Sequence, residues 1–303
     1  MSEKSRKATK KVQEKEAKKP LPNKKLLIIS ITLAVIIILG AAIYQFFWQA
    51  SESEVKFPLK TSIVDQLGKS FPIQSFRENI TSLLVNQNFT VVYNGSEEIT
   101  VEFFKGLPKS NCGLYLLRAH SAVRNNTNII DFFTNEPYQG GKYEEYGERL
   151  GIGWYLQDPN KKYFVIGPGF VEIMDGKFPK SIIIAMGCKS LKYTTMAQAF
   201  LNKGAQLYIG WTDDVDAYDS DKIIFLLLEL LFNEGKTISD AIRECNRIPR
   251  QYPGELDYFP KDAGKKRISE LICVSIKAYN IFDFRGQIFI AAVIKSGNLK
   301  RAD

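Results

Sequence analysis

The chain of 303 residues contains a single histidine, His120. Any chemistry that needs an imidazole therefore falls on one position. Cysteine is scarce as well, four in all, and one histidine with dispersed cysteines lacks the ligand spacing of a zinc site. No Gly-x-x-x-x-Gly-Lys-Ser/Thr stretch occurs, so a phosphate-cradling loop has no support. No motif calls for a metal or a cofactor. The few cysteines do not make a disulfide-stapled scaffold: Cys245 and Cys273 could pair, with Cys112 buried, but spacing alone does not decide this. Charge of one sign is also missing from most of the chain. The net charge is +8, yet residues 1–25 hold ten Lys/Arg against three Glu. The remainder is close to neutral, which removes any gross electrostatic reason to bind nucleic acid.

The basic residues 1–25 carry Pro20 and Pro22, lack aromatics, and read as a disordered tail. Residues 26–48 contain no charge at all. As a helix they would span about 34 Å, enough to cross a bilayer. Lys24 and Lys25 flank one end, and Tyr44, Phe46, Phe47 and Trp48 form an aromatic belt at the other. The apolar run is longer than that of a cleaved signal peptide, and bulky aromatics follow it where a small-x-small site would be needed. The expectation is a single uncleaved anchor, with the N-terminus in the cytoplasm and the rest outside. Four sequons, at Asn79, Asn88, Asn94 and Asn125, would suit an exported glycoprotein. Residues 49–70 are polar and read as a linker to a domain over 71–303.

Within that domain, strand and helix patterns alternate. Helices are expected over 75–86, 97–105, 195–202, 219–233 and 237–246. Strands are expected over 89–93, 114–119, 129–133, 181–187 and 206–210, with closing strands over 270–278 and 287–293. Residues 134–160, rich in Tyr, Gly and Glu, read as a surface excursion. Lys162–Ile166 and Phe170–Met174 read as a hairpin about Gly167-Pro168-Gly169, and 247–268 as a loop. This order indicates an α/β domain with a mostly parallel sheet flanked by helices. Two apolar runs end on reactive side chains: Leu114–Ala119 delivers His120, and Ser181–Gly187 delivers Cys188. In an open parallel sheet, sites assemble at the carboxyl ends of strands. A cysteine and a histidine presented there are the minimal kit for a thiol nucleophile and its base.

Ile184-Ala185-Met186-Gly187-Cys188-Lys189-Ser190 is followed by Ala197-Gln198-Ala199-Phe200-Leu201-Asn202-Lys203-Gly204-Ala205 and by Gly210-Trp211-Thr212-Asp213-Asp214. Together with His120-Ser121 and Gly235–Ile242, this series resembles the core of caspase-like cysteine peptidases, nearest in style to the gingipain and CHAT branches. The resemblance covers residues 87–246. It implies a caspase-like fold and a cysteine endopeptidase acting on protein or peptide substrates, with His120 and Cys188 catalytic. The backbone amides of Cys188 and Ser121 would hold the oxyanion, and the Trp211–Asp214 segment would line the substrate pocket. A carboxylate at Asp213 or Asp214 would then favour Lys or Arg before the scissile bond. Two departures stand out: Ser121 follows the histidine where Gly is common, and Gly187 precedes the cysteine where Ala is frequent. No third catalytic residue is named by the sequence. The alternative expectation is an inactive caspase-like surface module.

Overall fold

The computed structural model describes residues 57–72 and 74–272, together with short stretches at 25, 28–29, 32–40, 280–282 and 288–290. The chain divides into two compact units, Met1–Glu54 and Val55–Asp303. In the first, residues 32–40 are helical. Among the described residues no helix is long and apolar enough to cross a membrane, and much of the expected anchor, 26–48, lies outside them.

Up to Phe259, the described residues of the second unit form ten strands in chain order: β1 (Lys60–Asp65), β2 (Thr90–Asn94), β3 (Leu114–Arg118), β4 (Ser121–Val123), β5 (Ile130–Pro137), β6 (Leu150–Tyr155), β7 (Asp158–Ile166), β8 (Ile182–Ala185), β9 (Leu207–Trp211) and β10 (Leu256–Phe259). Seven α-helices accompany them: α1 (Gln74–Asn86), α2 (Val101–Gly106), α3 (Pro168–Ile173), α4 (Thr195–Asn202), α5 (Ala217–Leu228), α6 (Ile238–Cys245) and α7 (Ile268–Ile272). Six strands form one sheet in the order β10-β9-β8-β3-β1-β2. All its neighbours pair in parallel except β10, which runs against β9. The mixed α/β class, with a largely parallel sheet between helical layers, is as expected.

Side chains alternate between the two faces of this sheet. Leu114, Leu116, Ile182, Ile184 and Met186 join Leu84, Ile223, Leu227 and Ile242 in the cluster under α1, α5 and α6. Tyr115, Leu117, Ile183 and Ala185 join Phe104, Phe170 and Phe200 on the other face, under α2, α3 and α4. Burial on both faces favours apolar residues, which is why β8 and the part of β3 before Arg118 stand out as apolar runs.

Several expectations are corrected. The presumed linker contains β1, a central strand whose Thr61 and Ser62 are buried despite being polar. About half of the excursion at 134–160 is sheet: the end of β5, all of β6 and the start of β7 belong to a second, antiparallel sheet of order β4-β5-β7-β6. Gly151 and Gly153 mimic loop composition, but a Cβ there would come within 2.8 Å of Val165 and 2.6 Å of Phe133 respectively. They are glycine because the sheet packs there without room for a side chain. Phe170–Met174 forms no hairpin strand. Pro168 occupies the first turn of α3, where its fixed φ favours a helix and its missing N–H costs nothing. The loop at 247–268 contains β10, and 268–272 is the helix α7 rather than strand. The last strand, Ile288–Ile290, pairs antiparallel with Asn280–Phe282 in a separate two-stranded sheet.

Candidate active site

The parallel register pairs Leu114 with Ile182 and Leu117 with Ala185. The ladder ends with the Met186 amide on the Leu117 carbonyl, so the chains leave adjacent strand ends two to three residues before His120 and Cys188. Cys188 packs against the core cluster that lies under α1, α5 and α6. The two loop starts touch directly. The Ser121 hydroxyl donates to the Cys188 carbonyl at 2.6 Å. A Cβ on Gly187 would stand 2.3 Å from the Ala119 carbonyl oxygen and 2.4 Å from Ser121 Oγ. Gly187 is therefore a packing requirement: the histidine loop lies where an alanine methyl would be. Gly187→Ala is expected to destabilise the domain by roughly 1–3 kcal/mol through overpacking, measured by chemical denaturation. Unchanged stability would mean that the two loops are not in contact.

His120 is half-buried. Its ring lies 4.9 Å from Tyr155, 6.0 Å from Phe71 and 6.2 Å from Phe133, centroid to centroid. Its backbone is held at both polar groups: its N–H donates to Gln66 Oε1, and its carbonyl accepts from the Phe133 amide. Buried Gln66 also donates to Asn135 Oδ1 and to the Tyr155 hydroxyl. The imidazole itself makes no hydrogen bond among the described residues. Burial, reinforced by the Arg118 guanidinium, lowers its pKa to about 4, so the ring is neutral at pH 7.

Beneath the histidine, Arg118 is fully buried in an ion-pair cluster. Its guanidinium binds Asp221 through two nitrogens at 2.8 and 2.9 Å and Asp65 at 2.7 Å, and donates to the Phe71 carbonyl at 2.9 Å. This ties the ends of β1 and β3 to α5.

Cys188 is half-buried and free, like the buried Cys112 and Cys245; Cys273 lies outside the described residues. The Cys188 thiol donates to the Val215 carbonyl at 3.3 Å, and the Val215 amide approaches the sulfur at 3.5 Å. Burial is the main cause raising its pKa, the Asp214 carboxylate adds to it, and the Val215 amide and Lys189 oppose it. Its backbone amide finds no acceptor among the described residues, a state suited to an oxyanion donor. Ser190 fixes the turn that follows: its hydroxyl donates to the Ala185 carbonyl and accepts from the Trp211 amide.

The expected pocket wall differs from its forecast. Trp211 is fully buried, and its indole N–H donates to Ser220 Oγ, so it is a core residue and does not stand on a rim. Asp213 and Asp214 do reach the surface, but Lys189 and Lys192 neutralise them: Lys189 reaches both, and Lys192 binds Asp213 at 3.2 Å. The single signal for the Arg118 cluster was a charged residue inside an apolar run. Nothing local marked Gln66 or Val215.

No protein-family model matches the chain, and no curated protein matches it.

Proposed function

We propose that the chain is a membrane-anchored cysteine endopeptidase of caspase-like fold, its domain outside the cytoplasm, with Cys188 as nucleophile and His120 as general base. One observation supports the reading: the loops that leave β3 and β8 touch, through the Ser121 hydroxyl and the Cys188 carbonyl, and they carry the sole histidine and a half-buried cysteine. The resemblance of the residues around them to caspase-like peptidases supports it.

A neutral imidazole beside a neutral thiol implies coupled chemistry. His120 accepts the thiol proton as sulfur attacks the carbonyl carbon, and later delivers it to the leaving amine. The unpaired Cys188 amide would meet the oxyanion. With both carboxylates matched by lysines, the geometry lends no weight to a Lys/Arg preference. Of the sequons, Asn94 is the least suited to carry a glycan, because its amide is bonded to Ser62 Oγ and the Ile63 carbonyl.

The test is peptide hydrolysis by the full-length chain, together with labelling by an electrophilic peptide. Cys188→Ala should abolish both. Full hydrolysis by that variant would sink the proposal. The second reading, a catalytically silent surface module, draws on the thiol being engaged by Val215 while the His120 imidazole makes no hydrogen bond among the described residues. Labelling of Cys188 that depends on His120 would count against it.

A further inference from the structure

We infer that the segment Asp213–Val215 is an ion-pair-fastened latch that withholds the Cys188 thiol in the resting protein; this rests on Cys188 being the nucleophile proposed above. The thiol is engaged in both directions by one residue, as donor to the Val215 carbonyl and acceptor from its amide. A proton given to the Val215 carbonyl is not shared with His120, whose imidazole makes no hydrogen bond among the described residues. Attack on a substrate requires the sulfur to leave Val215.

The latch is fastened on both sides. Toward the nucleophile turn, the Lys189 amide donates to the Asp213 carbonyl at 2.9 Å. The Lys189 ammonium binds Asp214 at 2.5 Å and Asp213 at 3.7 Å, and Lys192 binds Asp213 at 3.2 Å. On the far side, the Gly254 amide donates to the Asp214 carbonyl at 2.9 Å. A Cβ on Gly254 would lie 2.5 Å from that oxygen, so the backbone of 254 lies tight against the segment. Lys189 itself has φ +58°, a left-handed conformation costly for a lysine. That turn directs its side chain back over the residue next to the cysteine. The acidic pair expected to read substrate charge thus serves as the clasp.

Such half-exposed ion pairs are weak singly and salt-sensitive, so the latch is built to open. Opening exposes the thiol, and the rate of Cys188 alkylation by iodoacetamide in the full-length chain reads it, peptide by peptide, by mass spectrometry. Two variants separate the latch from simple charge effects. Asp214→Asn removes a negative charge near the sulfur, which by itself favours the thiolate and faster alkylation. Lys189→Gln removes a positive charge, which by itself disfavours the thiolate and slows it.

If the latch exists, both variants accelerate alkylation, by roughly threefold to tenfold, the size of one to three such pairs. Raising salt from 0.05 to about 0.5 M, which shortens the screening length several-fold, accelerates the unmodified chain likewise and the variants less. Slower alkylation in Lys189→Gln, or a salt-insensitive rate in the unmodified chain, overturns the inference. Labelling of buried Cys245 reports unfolding; if a variant unfolds, the salt response of the unmodified chain still decides. The readout needs no turnover, so failure of the latch and failure of the peptidase reading are separate results.

Discussion

Arg118→Met is expected to destabilise the domain by about 3–5 kcal/mol, the usual consequence of stripping one partner from a buried ion pair. The guanidinium is 1% exposed, and its carboxylate partners on Asp65 and Asp221 are 9% and 5% exposed. Methionine would fill most of the volume and leave two carboxylates facing each other in the interior. Burial already raises the pKa of Asp221, against the pull of Arg118. Without the arginine, burial would favour protonation of Asp221 in the folded state, so the loss should shrink as pH falls. A second substitution, Asp221→Leu, should recover part of the loss by removing one orphaned charge. Asp65 would keep its bond from the Tyr93 hydroxyl at 2.7 Å. Denaturant titrations of the three variants check this. Near-additive losses would mean that the cluster is not one coupled network.

The same cluster shows how far the sequence could be read. The ends of β3 and β8 were legible because parallel strands buried on both faces cannot hide their apolar runs. Helices α1, α4 and α6 were legible from their periodicity, and the Thr237 side chain caps α6 by accepting from the Asp240 amide. What escaped was structure whose residues imitate something else. β1 opens with Lys60, Thr61 and Ser62 and reads as linker, yet it lies between β3 and β2, with only Ile63 and Val64 as its apolar contribution to the two core clusters. β6 carries glycines where Phe133 and Val165 leave no space. β10 is four residues flanked by Gly254 and Pro260, too short to show a period. For the site, the strand ends foretold where His120 and Cys188 would lie but not what they touch. Val215 and Gln66 act through a backbone carbonyl and a buried amide, and neither carries a local signature. Trp211 was misplaced because a residue at a strand terminus can turn either way, and here it follows the alternation inward toward Ser220.

On the proposed mechanism, His120→Gln should lower peptide hydrolysis by about 10²- to 10⁴-fold, the usual worth of a general base, and the unmodified chain should stay active far into acid. The imidazole pKa is lowered to about 4, first by burial and then by Arg118, and the Cys188 thiol pKa is raised by burial. The competent pair is therefore neutral thiol and neutral imidazole. The kcat/KM profile should show an acid limb near pH 4, well below the ordinary histidine value. Stability carries the same signature. Between pH 6.5 and about 4 the unfolded chain binds a proton at this position and the folded chain does not. Stability from this group is thus complete above pH 6.5 and is lost as pH falls toward 4, by about 2–3 kcal/mol after allowing for partial solvent screening. His120→Gln should flatten that part of the stability curve relative to the unmodified chain, which also cancels the carboxylates that titrate over the same range. Because the protein has one histidine, a single imidazole resonance reports the pKa directly. A midpoint near 6.5 in the folded protein would mean an open, solvated ring and would remove the basis for both the acid limb and the stability slope. A midpoint near 4 that rises in Arg118→Lys would favour burial and the field of the guanidinium as its causes, since lysine keeps the charge but cannot reproduce the two-nitrogen grip on Asp221 that fixes its position under the ring.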